Sequence, residues 1–266
     1  MSPTSPDLAS LALAFPFLLA GYLTYRCWSP PNANPLGPAA TLPQDDVAIG
    51  PGAIQVKRFV TLSIWILHGL TAAFHRSPPT LLCPNPANLS SSLFEWTLYI
   101  TVALTIIFIA GPIRLLAFKQ LGQNFTFRLA RPIALVKTGL YAYVQHPSYS
   151  TNWLILACNI ALLLRLDGVI GCLLPGQVVR WGMGKGGVGL WPVLLVLLGV
   201  LGLCGVLIRV KDEEVMLKKQ FGIEWEEYHR KTMRFIPGAF RSDKETTVAP
   251  AELVSIVNSW YQERVP

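Results

Sequence analysis

Five long apolar runs set the limits on this fold. They cover 8–25, 59–74, 94–112, 152–164 with its flanks, and 190–208. About 20 apolar residues cross the hydrocarbon core of a bilayer as a helix, and a helix satisfies its own backbone there. The runs therefore predict an all-α, polytopic integral membrane protein with about five transmembrane helices. Composition agrees: charged residues make up 14% and apolar residues 52% of the 266, whereas a soluble domain carries about 25% charged residues. Disorder, a fibrous repeat and an ordinary soluble enzyme are excluded as whole-chain readings. The first run has no basic residue before it and no small-residue cleavage pattern after it. It is expected to remain as a membrane helix rather than to be removed as a signal peptide.

The net charge of +7 belongs to loops between apolar runs, where it reports orientation rather than a nucleic-acid partner. With the N-terminus lumenal, the segments 26–58, 113–147 and 209–266 hold 18 of the 22 Lys and Arg residues. The opposite side (1–7, 76–93 and 165–188) holds 4. Cytosolic loops carry the excess of basic residues, so 113–147 and a cytosolic C-terminus are expected to share one face. The expected organisation is membrane spans and a Pro-rich linker over 1–112, a core over 113–240 and a tail over 241–266. Within the tail, 250–264 has the spacing of a short amphipathic helix.

Two features carry little information. The stretch 182–189 matches G-x-G-x-x-G at Gly182, Gly184 and Gly187, but no strand precedes it and no βαβ unit surrounds it, so a flexible turn is expected and a Rossmann fold is not. The five cysteines (Cys27, Cys83, Cys158, Cys172, Cys204) show no C-x-x-C spacing. Three lie in or beside apolar runs, which suits buried thiols better than a disulfide framework or a zinc site. Histidines 68, 75 and 229 suggest no metal centre.

Polar residues close to the apolar runs mark where chemistry can occur. They gather in Gly139-Leu-Tyr141-Ala-Tyr143-Val-Gln145-His146-Pro147-Ser148-Tyr149, before the fourth run, and in Arg209-Val-Lys211-Asp212-Glu213-Glu214, after the fifth. The intervening hairpin returns both clusters to one side of the membrane. Arg209 and Glu213 are four apart and share a helix face, while Glu214 lies about 100° round from Glu213. The helix is expected to continue to Phe221 and to stop at Gly222.

Taken together, His146-Pro147-Ser148-Tyr149, then Arg209-x-x-x-Glu213-Glu214-x-x-Leu217-x-x-x-Phe221-Gly222-x-x-Trp225-x-x-Tyr228, then Ile236-Pro237-Gly238, resemble the isoprenylcysteine carboxyl methyltransferase family. Asn124-Phe125 and Leu135-Val136-x-x-Gly139-x-Tyr141 fit the same pattern, and the resemblance covers about 121–240. It implies a multi-pass enzyme of the endoplasmic reticulum membrane that uses S-adenosylmethionine to methylate the C-terminal carboxylate of prenylated cysteine. Its partners would be prenylated CaaX-type proteins or prenylcysteines, and the bilayer. It also implies a cytosol-facing, helical cofactor pocket built from Ile133, Ala134, Leu135, Val136, Tyr141, His146, Pro147, Ser148, Tyr149 and Glu213, with Arg209 on the substrate carboxylate. The chain departs from the family at Gln145, where Arg is usual, at Thr151, where Gly is usual, and at Ala130, where a cofactor-contacting Gln is expected. Other readings of the same clusters are a methyltransferase for another membrane-dissolved molecule, a nicotinamide-dependent sterol-type reductase, and a non-catalytic membrane scaffold.

Overall fold

The computed structural model describes residues 8–32, 51–126, 131–184 and 189–236. Ala130, Gly187, most of the linker and the tail, with its expected helix at 250–264, lie outside the described residues. Eight α-helices follow in order: α1 (Leu8–Cys27), α2 (Pro51–Ala73), α3 (Leu98–Leu121), α4 (Pro147–Leu163), α5 (Val169–Leu173), α6 (Gly176–Met183), α7 (Leu190–Phe221) and α8 (Ile223–Lys231). Among the described residues there is no strand, only an isolated bridge between Val144 and Met233. The all-helical expectation holds, and no Rossmann fold is present there.

Among the described residues, three segments are long and apolar enough to cross a membrane: α1, Ser91–Asn124 around α3, and α7. The five expected spans reduce to three by this measure for two physical reasons. At 17 residues, α4 reaches only about 26 Å at 1.5 Å per residue, short of a hydrocarbon core of about 30 Å. In α2, Lys57, Arg58 and His68 dilute the apolar run. Two helices also outrun the boundaries read from hydropathy. Pro112 does not end α3, which continues to Leu121, and α4 starts at Pro147, where a missing N–H costs no helical hydrogen bond.

The long helices lie alongside one another. The Ser10 hydroxyl meets His75 at one end of α1, and Arg58 donates to the Tyr25 hydroxyl at the other, so α1 and α2 are antiparallel. The Tyr99 hydroxyl donates to the Ala161 carbonyl (2.6 Å), pairing the start of α3 with the end of α4. Trp191 Nε1 donates to the Leu164 carbonyl (2.6 Å) where α7 begins. Phe17, Trp65, Phe94, Ile100, Ile107 and Leu162 are fully buried in the core between these helices. Gly21 lets α1 approach closely: a Cβ there would sit 2.5 Å from Trp65 Cβ. Trp65 Nε1 donates to Asn159 Oδ1 (2.8 Å), an interhelical polar link of the kind that ties membrane helices together.

The end of the bundle that holds Cys83 and Cys172 departs from the buried-thiol expectation. These two cysteines form a disulfide joining the loop after α2 to α5, with 5.2 Å between their Cα atoms. The pairing spans 89 residues of sequence, so no local spacing announces it. Cys27 and Cys158 are buried free thiols and Cys204 is exposed. Hydrogen bonds run beside the disulfide, from Asn85 N to Cys172 O (3.1 Å), from Asn88 Nδ2 to Gly171 O (2.8 Å) and from Ser90 N to Asp167 O (2.8 Å). The helices α3 and α4 run from this end to the opposite one, where both polar clusters lie.

Candidate active site

At 32 residues, α7 measures about 48 Å. Its apolar part is long enough to cross a bilayer and leaves about three turns beyond, and these carry Arg209, Glu213 and Glu214. Gly222 ends the helix at a φ of +52°, a left-handed conformation that glycine adopts without a Cβ penalty. The chain then reverses into α8, whose inner side buries Trp225 and Tyr228. On the other side of the cleft, Gly139 turns the chain at a φ of +64° against the Gln120 side chain, whose Oε1 accepts from Leu140 N (2.9 Å). This turn delivers Tyr141 to the interior.

A cavity with about 80 Å³ of free volume opens between these elements. Of the residues expected to hold a cofactor, Ala134, Leu135, Val136, Tyr141, His146, Ser148, Tyr149 and Glu213 line it, together with Arg209. Two of the expected residues stand aside. Ile133 points outward, 81% exposed, although its N–H donates to Asn124 Oδ1 (2.8 Å). Pro147 is buried as the first residue of α4 and is not in the lining.

The polar contacts radiate from α4 and α7. The Tyr149 hydroxyl donates to Glu213 Oε2 (2.7 Å), and Arg209 also acts on that hydroxyl. The Tyr228 hydroxyl donates to the Tyr141 carbonyl (2.7 Å). Burial, reinforced by the Glu213 charge, pushes the Tyr141 and Tyr228 phenols well above their ordinary range, so both remain protonated donors at neutral pH. Among the described residues, the site thus offers one carboxylate, one guanidinium, several phenols and apolar walls from Leu135, Val136, Met216 and Leu217.

Several residues in or behind the wall are absent from the sequence-derived set. Glu214 is buried and faces away from Glu213, as their angular offset requires; it pairs with His146 Nε2 (3.2 Å) and Arg234 (2.9 Å). Gln145, one of the departures from the family, sits in the wall. Its Nε2 donates to the carbonyls of His229 (3.1 Å) and Thr232, and its Oε1 accepts from His229 Nδ1 (2.8 Å). Thr151 is buried within α4 with its hydroxyl on the Pro147 carbonyl (2.8 Å), clear of the cavity lining. Arg114 is buried in α3. Its Nε donates to the Cys27 carbonyl (3.0 Å), and its Nη1 donates to both the carbonyl and the hydroxyl (2.9 Å) of Ser148.

A second cavity, about 300 Å³, lies deeper between α2, α4 and α7. Leu156, Ile160 and Leu163 line it from α4, and Leu198 and Gly202 from α7. Gly202 and Arg209 are seven residues apart, two helical turns or about 10 Å along one face. Both cavities therefore lie on the same seam between α4 and α7.

Residues 102–182 match the family model of the isoprenylcysteine carboxyl methyltransferase family, the family that the motifs resemble. The match covers most of α3, the turn at Gly139, and α4 through most of α6, and so takes in Tyr141 and His146–Tyr149. Arg209 and Glu213 lie beyond it and enter the site through the fold. At the family level the match supports a membrane methyltransferase. No curated protein and no solved structure matches the chain.

Proposed function

With the isoprenylcysteine carboxyl methyltransferase family matched over 102–182, we propose that this protein methylates the C-terminal carboxylate of prenylated cysteine with S-adenosylmethionine as donor. The observation that carries the proposal is the convergence of Arg209 and Glu213 with Tyr141, His146 and Tyr149 on one cavity in the family-matched fold.

The donor set fits this chemistry. S-adenosylmethionine would supply an electrophilic methyl group on a cationic sulfur. Glu213, with the phenols and His146 around it, suits the polar groups and the positive charge of such a ligand. At about 80 Å³ the cavity is smaller than such a ligand, so seating it would require the cavity to widen. Residues 131–136, in one wall, are tied back through the Asn124 and Gln220 side chains. Arg209 would hold the substrate carboxylate through charge-assisted hydrogen bonds. No general base is required, because an α-carboxyl with a pKa near 3.5 is already ionised at neutral pH. The carboxylate oxygen would supply the electron pair of the new O–C bond, the pair of the broken S–C bond would stay on sulfur, which would leave as the neutral thioether S-adenosylhomocysteine, and no proton moves. The chain's contribution is alignment and a dry pocket: opposite charges disappear in this reaction, and fixed protein dipoles replace water around them. The deeper apolar cavity suits the prenyl tail, reached sideways from lipid.

Localisation follows the same logic. Disulfides persist in oxidising compartments, and Cys83–Cys172 lies at the end of the bundle opposite the cavity. That supports a lumenal disulfide, a cytosolic active site and C-terminus, and residence in the endoplasmic reticulum membrane, in agreement with the distribution of basic residues.

The test uses membranes containing the protein, radiolabelled S-adenosylmethionine and N-acetyl-S-farnesylcysteine. Base-labile label in the farnesyl product is expected. Arg209→Ala and Glu213→Ala should each lower it about a hundredfold or more, the cost of removing a group that positions or stabilises reacting charge, with membrane insertion unchanged. Full activity in either variant at matched expression refutes the site. Cofactor binding without product would assign a different membrane-dissolved acceptor.

A further inference from the structure

The proposed reading gives roles to Glu213 and His146 but none to Glu214, although Glu214 is the more deeply buried of the two acids. It is 7% exposed, and a carboxylate is rarely left there unless it is paired. Its two oxygens serve two different elements. Oε1 meets His146 Nε2 (3.2 Å), and Oε2 accepts from the Arg234 guanidinium (2.9 Å).

Arg234 belongs to the segment 232–236 after α8, which lies along the stretch leading into α4. Gln145 N donates to Met233 O (2.7 Å), His146 N to Arg234 O (2.9 Å) and Ser150 Oγ to Phe235 O (2.8 Å). Phe235 also packs on the His146 ring at 6.0 Å between centroids. This strap buttresses the backbone of Gln145 and His146, both of which line the cavity. Glu214 reaches both the strap and the histidine. Paired with Arg234 it is an acceptor, so the hydrogen of the His146–Glu214 contact resides on Nε2, and in the neutral ring Nδ1 is left as the acceptor.

We propose that Glu214 is a positioning residue that clamps the strap 232–236 through Arg234 and fixes the orientation and tautomer of His146. It touches neither cofactor nor acceptor and acts through His146. The inference deepens the methyltransferase reading and rests on it for its catalytic readout, but the clamp itself has an independent one.

The experiment compares full-length protein in nanodiscs with Glu214→Gln, Arg234→Met, His146→Ala and the Glu214→Gln/His146→Ala double variant. S-adenosylmethionine binding, kcat and KM are measured, and hydrogen exchange is followed in peptides covering 143–150. The amide of Glu214→Gln keeps the shape but loses the charge and offers a donor to His146. A loss of about tenfold or more in kcat/KM for S-adenosylmethionine is expected, the scale of one hydrogen bond to a charged group, with faster exchange over 143–150. In the His146→Ala background, Glu214→Gln should cost little further, because groups acting through one another are non-additive. Arg234→Met removes a half-exposed partner and should speed exchange with a smaller kinetic loss, which covers the case in which Glu214→Gln fails to fold. Multiplicative losses in the double variant, or wild-type exchange in both single variants, overturn the proposal. Faster exchange in a protein that binds no S-adenosylmethionine would leave the clamp standing and refute the methyltransferase reading instead.

Discussion

Replacing Arg114 with Met should loosen the site from behind. The guanidinium joins three elements: from α3, its Nε holds the last carbonyl of α1, at Cys27, and its Nη1 holds the carbonyl and hydroxyl of Ser148 in the first turn of α4. It also lies over the Phe118 ring at 4.7 Å. Methionine fills similar volume but offers no donor. The Ser148 carbonyl keeps another partner in the Thr151 hydroxyl (3.1 Å), so its loss is mild, whereas the Cys27 carbonyl at a helix end loses its side-chain donor. An orphaned buried acceptor costs about 1–3 kcal/mol, and interhelical hydrogen bonds in membrane proteins average about 0.6 kcal/mol. Against this, the variant no longer desolvates a charge, which recovers part of the loss. A net destabilisation of about 2 kcal/mol results, which lowers the Tm by about 4–8 °C for a chain of this size. Because Ser148 and Tyr149 line the cavity, S-adenosylmethionine binding should weaken as well. Arg114→Lys should rescue little, since an ammonium lacks the planar fork that reaches both partners. Thermal unfolding in detergent and equilibrium cofactor binding check both effects. Wild-type Tm and affinity in Arg114→Met would refute the strut.

Three further outcomes are expected. The Tyr141 and Tyr228 phenols are held protonated in the fold, so the unfolded chain ionises first, near pH 10. Stability is therefore fully present below that pH and falls as the pH rises above it, and Tyr228→Phe should flatten the fall in Tm measured between pH 9 and 11. Replacing both Cys83 and Cys172 with Ala should cost about 2 kcal/mol, the low end for a disulfide, because hydrogen bonds already zip the same segments; melting with and without reductant measures it, and no difference would refute the linkage. Gly139→Ala should cost about 1–3 kcal/mol through its left-handed backbone and its contact with Gln120, read as a lowered Tm with weakened cofactor binding.

The part of the site that was legible in the sequence was legible because its residue types are rare beside apolar runs. Tyr141, His146, Tyr149, Arg209 and Glu213 stand out on that ground, and helical spacing alone puts Arg209 and Glu213 on one face. Arg114 was not legible: it follows Pro112, reads as the first residue of a basic loop, and becomes a buried strut only because α3 runs through the proline. Glu214 was visible, but the choice between it and Glu213 needs the position of the strap, a contact 20 residues away in sequence. Ile133 shows another limit of spacing, since Asn124 holds its backbone N–H while its side chain turns outward. The disulfide depends on two loops meeting across the whole bundle, which no pairwise spacing encodes.

The apolar part of α7 is almost unburied by the rest of the chain, yet the same continuous helix carries Arg209 and Glu213. In a bilayer, this one helix would hold its shaft in lipid and its polar end at the cavity. A bilayer thicker or thinner than the shaft is accommodated by tilt or axial displacement, at fractions of a kcal/mol per Å. Any such movement carries the two charged side chains past α4, whose Tyr149 meets Glu213. Under the proposed function, the thickness of the surrounding membrane would therefore be coupled to how Arg209 and Glu213 align against α4, and lipid chain length would become a setting on the rate.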